Sequence, residues 1–157
     1  SIISILVLSI LLVSLASILI FNAYDESYRK QALSLANSYS QTIQTNIENL
    51  QDDLNAAASN LMIFNDAVPA DTRMSHLASL AATSHFKDFS IARSDGTTLN
   101  DTNISDREYF QSAMRGEYYV SSPVVRKTDN SVTTMVAGPS VTYNNEQYVV
   151  YGGLDSL

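Results

Sequence analysis

The chain has 157 residues, a formal net charge of −7 and no cysteine. Its length suits one soluble domain with an appendage. The acidic balance disfavours nucleic acid and anionic lipid as partners, and the lack of thiols excludes disulfides and cysteine chemistry.

The first predicted element is an apolar helix. Residues 2–21 carry no charge and contain four serines among apolar side chains. A run of about 20 apolar residues matches the hydrocarbon thickness of a bilayer. A cleaved signal peptide is the alternative, with a small-residue site at Ser14-Leu15-Ala16, but apolar residues continue beyond it to Phe21. We therefore expect residues 1–22 to anchor the chain in the cell membrane through residues 2–21, and the acidic remainder to be extracytoplasmic.

Residues 23–68 are predicted to form a long helix, since no Gly or Pro interrupts residues 22–67. Steps of three and four residues, averaging 3.5, mark one apolar stripe: Ala36, Tyr39, Ile43, Ile47, Leu50, Leu54, Ala57, Leu61 and Phe64. About 40 helical residues extend roughly 60 Å, whereas a 100-residue module is about 35 Å across. We expect the uncovered part to be a homodimer seam, or to be covered by a second module nearer the membrane.

The helical pattern continues after Pro69 and then gives way to strands. Residues 72–84 are predicted to be a shorter helix. From Phe86 the period becomes two, with Phe89 and Ile91 alternating with small residues, and Asp95-Gly96 then makes a tight turn into a short strand, Thr97 to Leu99.

A last short helix and three strands complete the predicted module, residues 69–157. Ser105 and Glu108 have the spacing of a capping box, which opens a helix ending at Gly116. Turn residues then separate three strand candidates, residues 118–121, 131–141 and 147–154. The order of elements predicts an α+β module with one central antiparallel sheet.

The sequence lacks the constellations expected of an enzyme. His76 and His85 are nine residues apart and fit no metal-ligand spacing. The sequence has no GxSxG, P-loop or GxGxxG motif. We predict no catalytic activity, no metal and no cofactor.

The stretch Ser105-Asp106-Arg107-Glu108-Tyr109-Phe110, followed by Ala113, Gly116, Tyr119, Ser121 and Pro123, resembles the Cache sensor family. The closing residues, 151–157, resemble the end of the same unit. The resemblance implies a PAS-like module outside the cell membrane. In double Cache receptors such a module is the membrane-distal half, followed by a proximal half and a second span.

The same resemblance suggests a ligand site. In amino-acid-sensing members, an Arg followed by aromatic residues grips the ligand carboxylate and an Asp near the last strand takes its ammonium group, which implies Arg107, Tyr109, Phe110 and Asp155 here. Thr102 replaces an expected Tyr, and Arg126 replaces an expected Asp, which would favour a dicarboxylate or other organic acid. Amino acid and organic acid both stay open as ligands. The predicted site residues are Arg107, Tyr109, Phe110, Tyr119, Ser121, Arg126 and Asp155.

Several alternatives accompany this prediction. The sensor could serve a chemoreceptor, our leading hypothesis, or equally a histidine kinase or a diguanylate cyclase. It could also have an empty pocket and act in dimerisation or partner binding. Arg107 could simply pair with a neighbouring carboxylate, and the two aromatic residues after it could be core. A pilin-like subunit is disfavoured, because residues 2–21 lack the Glu that pilins carry there.

Overall fold

A computed structural model describes residues 2–154, apart from the side chain of Ile43. The chain divides into two compact units, Ser1–Thr45 and Asn46–Leu157. Helix α1, Ile2–Ala58, supplies the described part of the first unit and the beginning of the second.

The first unit is helical and exposed. Its apolar N-terminal part is long enough and apolar enough to cross a membrane. Ser9 Oγ donates to the Leu6 carbonyl and Ser17 Oγ to the Val13 carbonyl, both at 2.8 Å. These serines thus satisfy their hydroxyls within the helix, as hydrocarbon surroundings require.

Helix α1 ends nine residues earlier than the absence of Gly and Pro suggested. Ser59 Oγ donates to the Asn55 carbonyl at 2.7 Å, and Asn60 Nδ2 lies 2.6 Å from Nε2 of His76. The Asn55 carbonyl thus accepts both the N–H and the hydroxyl of Ser59, a kind of back-bonding that slightly destabilises a helix. A 3₁₀ turn, Leu61–Phe64, follows. The end of the predicted stripe is therefore out of phase: Leu61 is exposed, although Leu54, Ala57 and Phe64 are buried as expected.

The remaining elements confirm the predicted α+β order. Their bounds are α2 Ala70–Ala82, β1 Asp88–Arg93, α3 Glu108–Met114, β2 Tyr119–Val125, β3 Val132–Ala137, β4 Val141–Tyr143 and β5 Glu146–Gly153. In the described part of the chain, the five strands form one antiparallel sheet in the order β1-β5-β3-β2, and β4 pairs with β5 beside β3.

Two hydrophobic cores lie on opposite faces of this sheet. One face of the sheet, here called the α1–α2 face, packs against the end of α1, the 3₁₀ turn and α2. Its core includes Leu54, Phe64, Leu77, Phe89, Ile91, Tyr148 and Val150. The α3 face packs against α3 and the loop before it, through Ala92, Ile104, Tyr109, Phe110, Ala113, Met135, Ala137, Val149 and Tyr151. Strand β5 alternates between the two cores, as the period of a strand dictates.

Several local predictions are confirmed. Helix α3 ends in a Schellman arrangement: the N–H of Glu117 donates to the Ser112 carbonyl, and that of Gly116, at φ 86°, to the Ala113 carbonyl. Asn144 and Asn145 both have positive φ, which gives the tight turn between β4 and β5.

Three local predictions are wrong. The capping box does not form, because Ser105 Oγ donates to Asn103 Oδ1 at 2.6 Å and α3 begins at Glu108. The strand expected over residues 131–141 is broken at Gly138-Pro139, since Pro cannot donate to the ladder. The segment after Asp95-Gly96 forms isolated bridges instead of a strand.

Candidate ligand-binding site

Arg107 immediately precedes α3, on the α3 face of the sheet. Its side chain is half-buried, and Nη2 donates to the Val125 carbonyl at the end of β2, 3.1 Å away. Arg107 is the N-cap residue but forms no side-chain cap. Because α3 has only seven residues, the guanidinium of Arg107 rather than the helix terminus is the positive group at this position.

Arg107 differs from the other arginines of the second unit. Arg73 and Arg93 pair with Asp66, Arg115 with Glu117 and Arg126 with Asp88. Among residues 2–154, no carboxylate lies within ion-pairing distance of Arg107. The predicted alternative, in which a neighbouring carboxylate neutralises Arg107, is therefore not observed in the described part of the chain.

Two buried tyrosines form a ring pair in the α3-face core. Tyr109 on α3 and Tyr151 on β5 have ring centroids 5.6 Å apart, and each is at most 6% exposed. Burial raises the pKa of Tyr109, whereas the charges of Arg107 and Arg126 act in the opposite direction. Burial also raises the pKa of Tyr151. The charges of both guanidinium groups thus act on one buried phenol.

Arg126, directly after β2, makes a two-point ion pair with Asp88, the first residue of β1. Nη1 lies 2.5 Å from Oδ2 and Nη2 lies 3.0 Å from Oδ1. Desolvation opposes the charge of Arg126, but Asp88, together with Asp129 and Tyr151, outweighs it, so the pKa of Arg126 is raised overall. The N–H of Gly153 also donates to Asp88 Oδ1, at 3.2 Å.

Arg126 reaches Asp88 across the face of the sheet, because β1 and β2 lie at opposite ends of the strand order. A Cβ at Gly153 would lie 3.3 Å from Arg126 Nη1 and 3.4 Å from Asp88 Oδ1. The missing side chain at Gly153 therefore leaves the room through which the two partners meet.

The rim of this region is closed by a lysine. Lys127 Nζ donates to Asp106 Oδ1 at 2.5 Å and to the Asn103 carbonyl at 3.0 Å. Its ammonium group holds the pKa of Asp106 below its ordinary value. Together with the bond from Arg107 to Val125, these contacts join the β2–β3 hairpin to the loop before α3.

The structure brings Arg107 and Arg126 together, because Arg107 Nη2 contacts the carbonyl of Val125, which precedes Arg126. Tyr109 is buried in the α3-face core, as one of the alternatives proposed. The others differ in role or position. Phe110 is buried in the α3-face core. Ser121 Oγ accepts a hydrogen bond from the Met135 N–H at 2.9 Å, within the sheet. Tyr119 packs against the same core, and its pKa is raised by the neighbouring Glu108 carboxylate. Asp155 lies outside the described residues, so its predicted role stays a prediction.

Sequence reasoning missed Asp88 and Tyr151. A signal for Asp88 existed, because alternation puts it on the face opposite Phe89 and Ile91, together with Ser90. Tyr151 belongs to the closing stretch of the family resemblance, but it is not among the predicted site residues. The partnership of Asp88 with Arg126, 38 residues away, had no signal in the sequence.

The cluster suits recognition of an anion. Arg126 is ion-paired with Asp88, whereas Arg107 has no carboxylate within ion-pairing distance among residues 2–154. A guanidinium fork donates two parallel hydrogen bonds to a carboxylate. Within residues 2–154, no group of His, Asp and Glu side chains is placed to hold a metal ion.

Comparison with known proteins places this geometry in context. No protein-family model matches the chain, and no curated protein matches it. Among solved structures, the sensory domain of the Campylobacter jejuni chemoreceptor Tlp3 with isoleucine bound superposes with a TM-score of 0.59 at 8% identity, covering 73% of this chain and 54% of that one. The Tlp3 ligand-binding domain in complex with 4-methylisoleucine also gives 0.59, at 10% identity, with 73% and 53% covered.

The extracellular domain of the histidine kinase rpHK1S-Z16 gives a TM-score of 0.52 at 19% identity, covering 73% of this chain and 50% of that one. The chain thus spans about half the length of the solved domains it matches. At these identities the likeness establishes the fold, and that fold agrees with the Cache resemblance of the sequence. This chain has the PAS-like α+β fold found in the sensory domain of the chemoreceptor Tlp3 and in the extracellular domain of rpHK1S-Z16.

Proposed function

We propose that this chain is the extracytoplasmic sensor of a membrane-anchored signalling receptor and that it binds a small carboxylate ligand on the α3 face. The observation that carries the proposal is Arg107, a half-buried arginine without a carboxylate partner among residues 2–154, next to the buried Tyr109.

The ligand carboxylate would take the guanidinium fork of Arg107. Such charge-assisted hydrogen bonds are about twice as strong as neutral ones. Tyr109 and Tyr151 would wall the ligand, because large aromatic surfaces contribute apolar contact and exclude water. No side chain in this arrangement has the partners of an activated nucleophile or general base, so the chemistry proposed is binding alone.

The membrane assignment rests on residues 2–21, which continue directly into the rest of α1. Near its end, α1 packs on the sheet through Leu54 and Ala57, both 1% exposed. A ligand that alters the packing of the sheet would therefore bias the position of this helix, the kind of small shift by which such receptors switch. We propose that paired copies meet along α1 nearer the membrane.

Chemotaxis is the proposed output, supported by the fold shared with Tlp3. A histidine kinase output has support of the same kind from the fold shared with rpHK1S-Z16. A diguanylate cyclase would use the same sensor arrangement. The ligand classes favoured by the site are amino acids and organic acids.

A ligand screen tests the proposal. The full chain, purified in detergent micelles, would be melted with amino acids, dicarboxylates, monocarboxylates, purines and polyamines, following tyrosine circular dichroism. A ligand at 100 times its dissociation constant should stabilise the folded state by about 2.7 kcal/mol. A melting shift with carboxylates is the expected result. A folded protein that responds to no member of the panel would contradict direct sensing and favour the binding of a partner protein.

A further inference from the structure

Asp88 occupies the guanidinium fork of Arg126 on the same face of the sheet as Arg107. We propose that Asp88 is a specificity-determining residue, which restricts the site to ligands with a single carboxylate by neutralising Arg126. The inference rests on the proposed function, since it concerns the ligand class of the same site.

The pair leaves Arg126 little capacity for a second anion. Both terminal nitrogens are directed to Asp88, at 2.5 and 3.0 Å, and the side chain of Arg126 is 11% exposed. The fork–fork arrangement is the strongest that Arg makes with a carboxylate. Of the two guanidinium groups that act on Tyr109, Arg107 is the one without an ion-pair partner among residues 2–154.

Displacing Asp88 would be costly for a ligand. A second ligand carboxylate would have to take the Arg126 fork and leave Asp88, whose side chain is 34% exposed, close to a like charge. Removing one partner of a largely buried ion pair is strongly unfavourable. Asp88 is also held by the Gly153 N–H, so it cannot leave without breaking a contact to the end of β5.

Among residues 2–154, the neighbouring charges largely offset one another: Arg126 and Lys87 both act on Asp129. Lys127 is paired with Asp106 at the rim. Asp129 adds a further negative charge near Arg126. Both observations make the region around Arg126 less attractive to a second carboxylate, so a dicarboxylate gains nothing there over a compound in which the second carboxylate is an amide.

Matched ligand pairs test this inference. The full chain in detergent micelles would be titrated calorimetrically with succinate and its monoamide succinamate, and with aspartate and asparagine. Each pair keeps the shape and changes one charge. We expect the amide of a pair to bind about tenfold tighter than the diacid, the size expected of one charge-assisted hydrogen-bond pair.

The variant Asp88→Asn removes the negative charge and keeps an acceptor oxygen. It should lower or reverse the preference for the amide by about tenfold. The matched control is Asp66→Asn, an aspartate paired with Arg73 and Arg93 but reached from the α1–α2 side, which should leave the preference unchanged. Tyrosine circular dichroism would verify that each variant is folded.

If Asp88→Asn fails to fold, the selectivity of the unaltered chain still decides. Diacids that bind it as tightly as their amides would overturn the role of Asp88, while the carboxylate site itself would stand. An unchanged preference in folded Asp88→Asn would overturn it as well. The absence of binding by any carboxylate would overturn the proposed function together with this inference.

Discussion

Asp53 and His85 meet through a single carboxylate oxygen: Asp53 Oδ2 accepts a hydrogen bond from the His85 backbone N–H at 2.8 Å and lies 2.8 Å from its ring Nδ1. Asp53 belongs to α1, and His85 lies between α2 and β1. The contact therefore attaches the end of α1 to the segment that leads into the sheet.

The first prediction concerns this contact. Asp53→Ala should lower the free energy of unfolding by about 0.5–1.5 kcal/mol, because it removes the hydrogen bonds that attach His85 to α1. Urea unfolding in detergent micelles, followed by tyrosine circular dichroism, would measure the loss. Asp52→Ala, at the exposed neighbouring position, is the control and should change stability by no more than about 0.5 kcal/mol. Equal losses in both variants would contradict a special role for Asp53.

The second prediction concerns Arg107. Arg107→Ala should abolish binding of the carboxylate found in the ligand screen and leave the melting temperature of the free protein nearly unchanged, because the side chain is half-buried and makes one hydrogen bond. Arg107→Lys should bind weakly, since an ammonium group lacks the planar fork.

Arg115→Ala is the matched control for Arg107, because it removes an arginine from the other end of α3. Its partners are Ser112 and Glu117, away from the tyrosine pair. Calorimetry should give unaltered affinity for this variant. Unaltered affinity in Arg107→Ala would instead show that the ligand binds elsewhere.

The third prediction concerns a close approach between strands. A Cβ at Gly152 would overlap the Asp88 carbonyl oxygen and lie 2.5 Å from Cδ1 of Phe86. Gly152→Ala should therefore destabilise the module by about 2–4 kcal/mol through overpacking. A Cβ at Gly138 would lie no closer than 3.6 Å to its neighbours, so Gly138→Ala should cost far less. Urea unfolding of the two variants side by side checks the difference in stability.

The fourth prediction concerns alkaline pH. Burial raises the pKa of Tyr151 above its value in the unfolded chain, which is about 10. The folded state therefore holds its proton where the unfolded state releases it. The resulting stability is present below about pH 10 and is lost as pH rises towards the folded pKa.

Unfolding free energy should thus fall more steeply above about pH 10 in the unaltered chain than in Tyr151→Phe, which has no phenolic proton to lose. Urea unfolding at several pH values, with absorbance at the tyrosinate band, would record both quantities. Parallel pH profiles for the two proteins would contradict the prediction.

The fold was predictable where a short sequence pattern is compatible with few backbone conformations. Period-two alternation around Phe89, the paired asparagines at 144 and 145 and Gly116 each admit few other conformations. The capping box predicted at Ser105 does not form, because Asn103 Oδ1 accepts the hydrogen bond of the Ser105 hydroxyl. Just beyond the end of α1, Asn60 contacts His76, a tertiary partner 16 residues later that the helical pattern does not reveal.

The candidate site was predictable to the extent that it lies in one continuous stretch. Arg107 and Tyr109 are two residues apart and were identified from a motif. Asp88 and Arg126 come from opposite ends of the strand order, and their contact depends on the empty space at Gly153. No periodicity or spacing in a single sequence encodes such a pairing across a sheet.

The edge strand β2 affects how copies of this chain can pair with one another. In the described part of the chain, β2 pairs with β3 along one side, and its register shifts between Val120 and Pro123. A bulge and a proline without an N–H prevent a foreign strand from continuing the ladder. Copies of this chain are thereby hindered from pairing edge to edge through β2, although β1 forms the opposite edge of the same sheet.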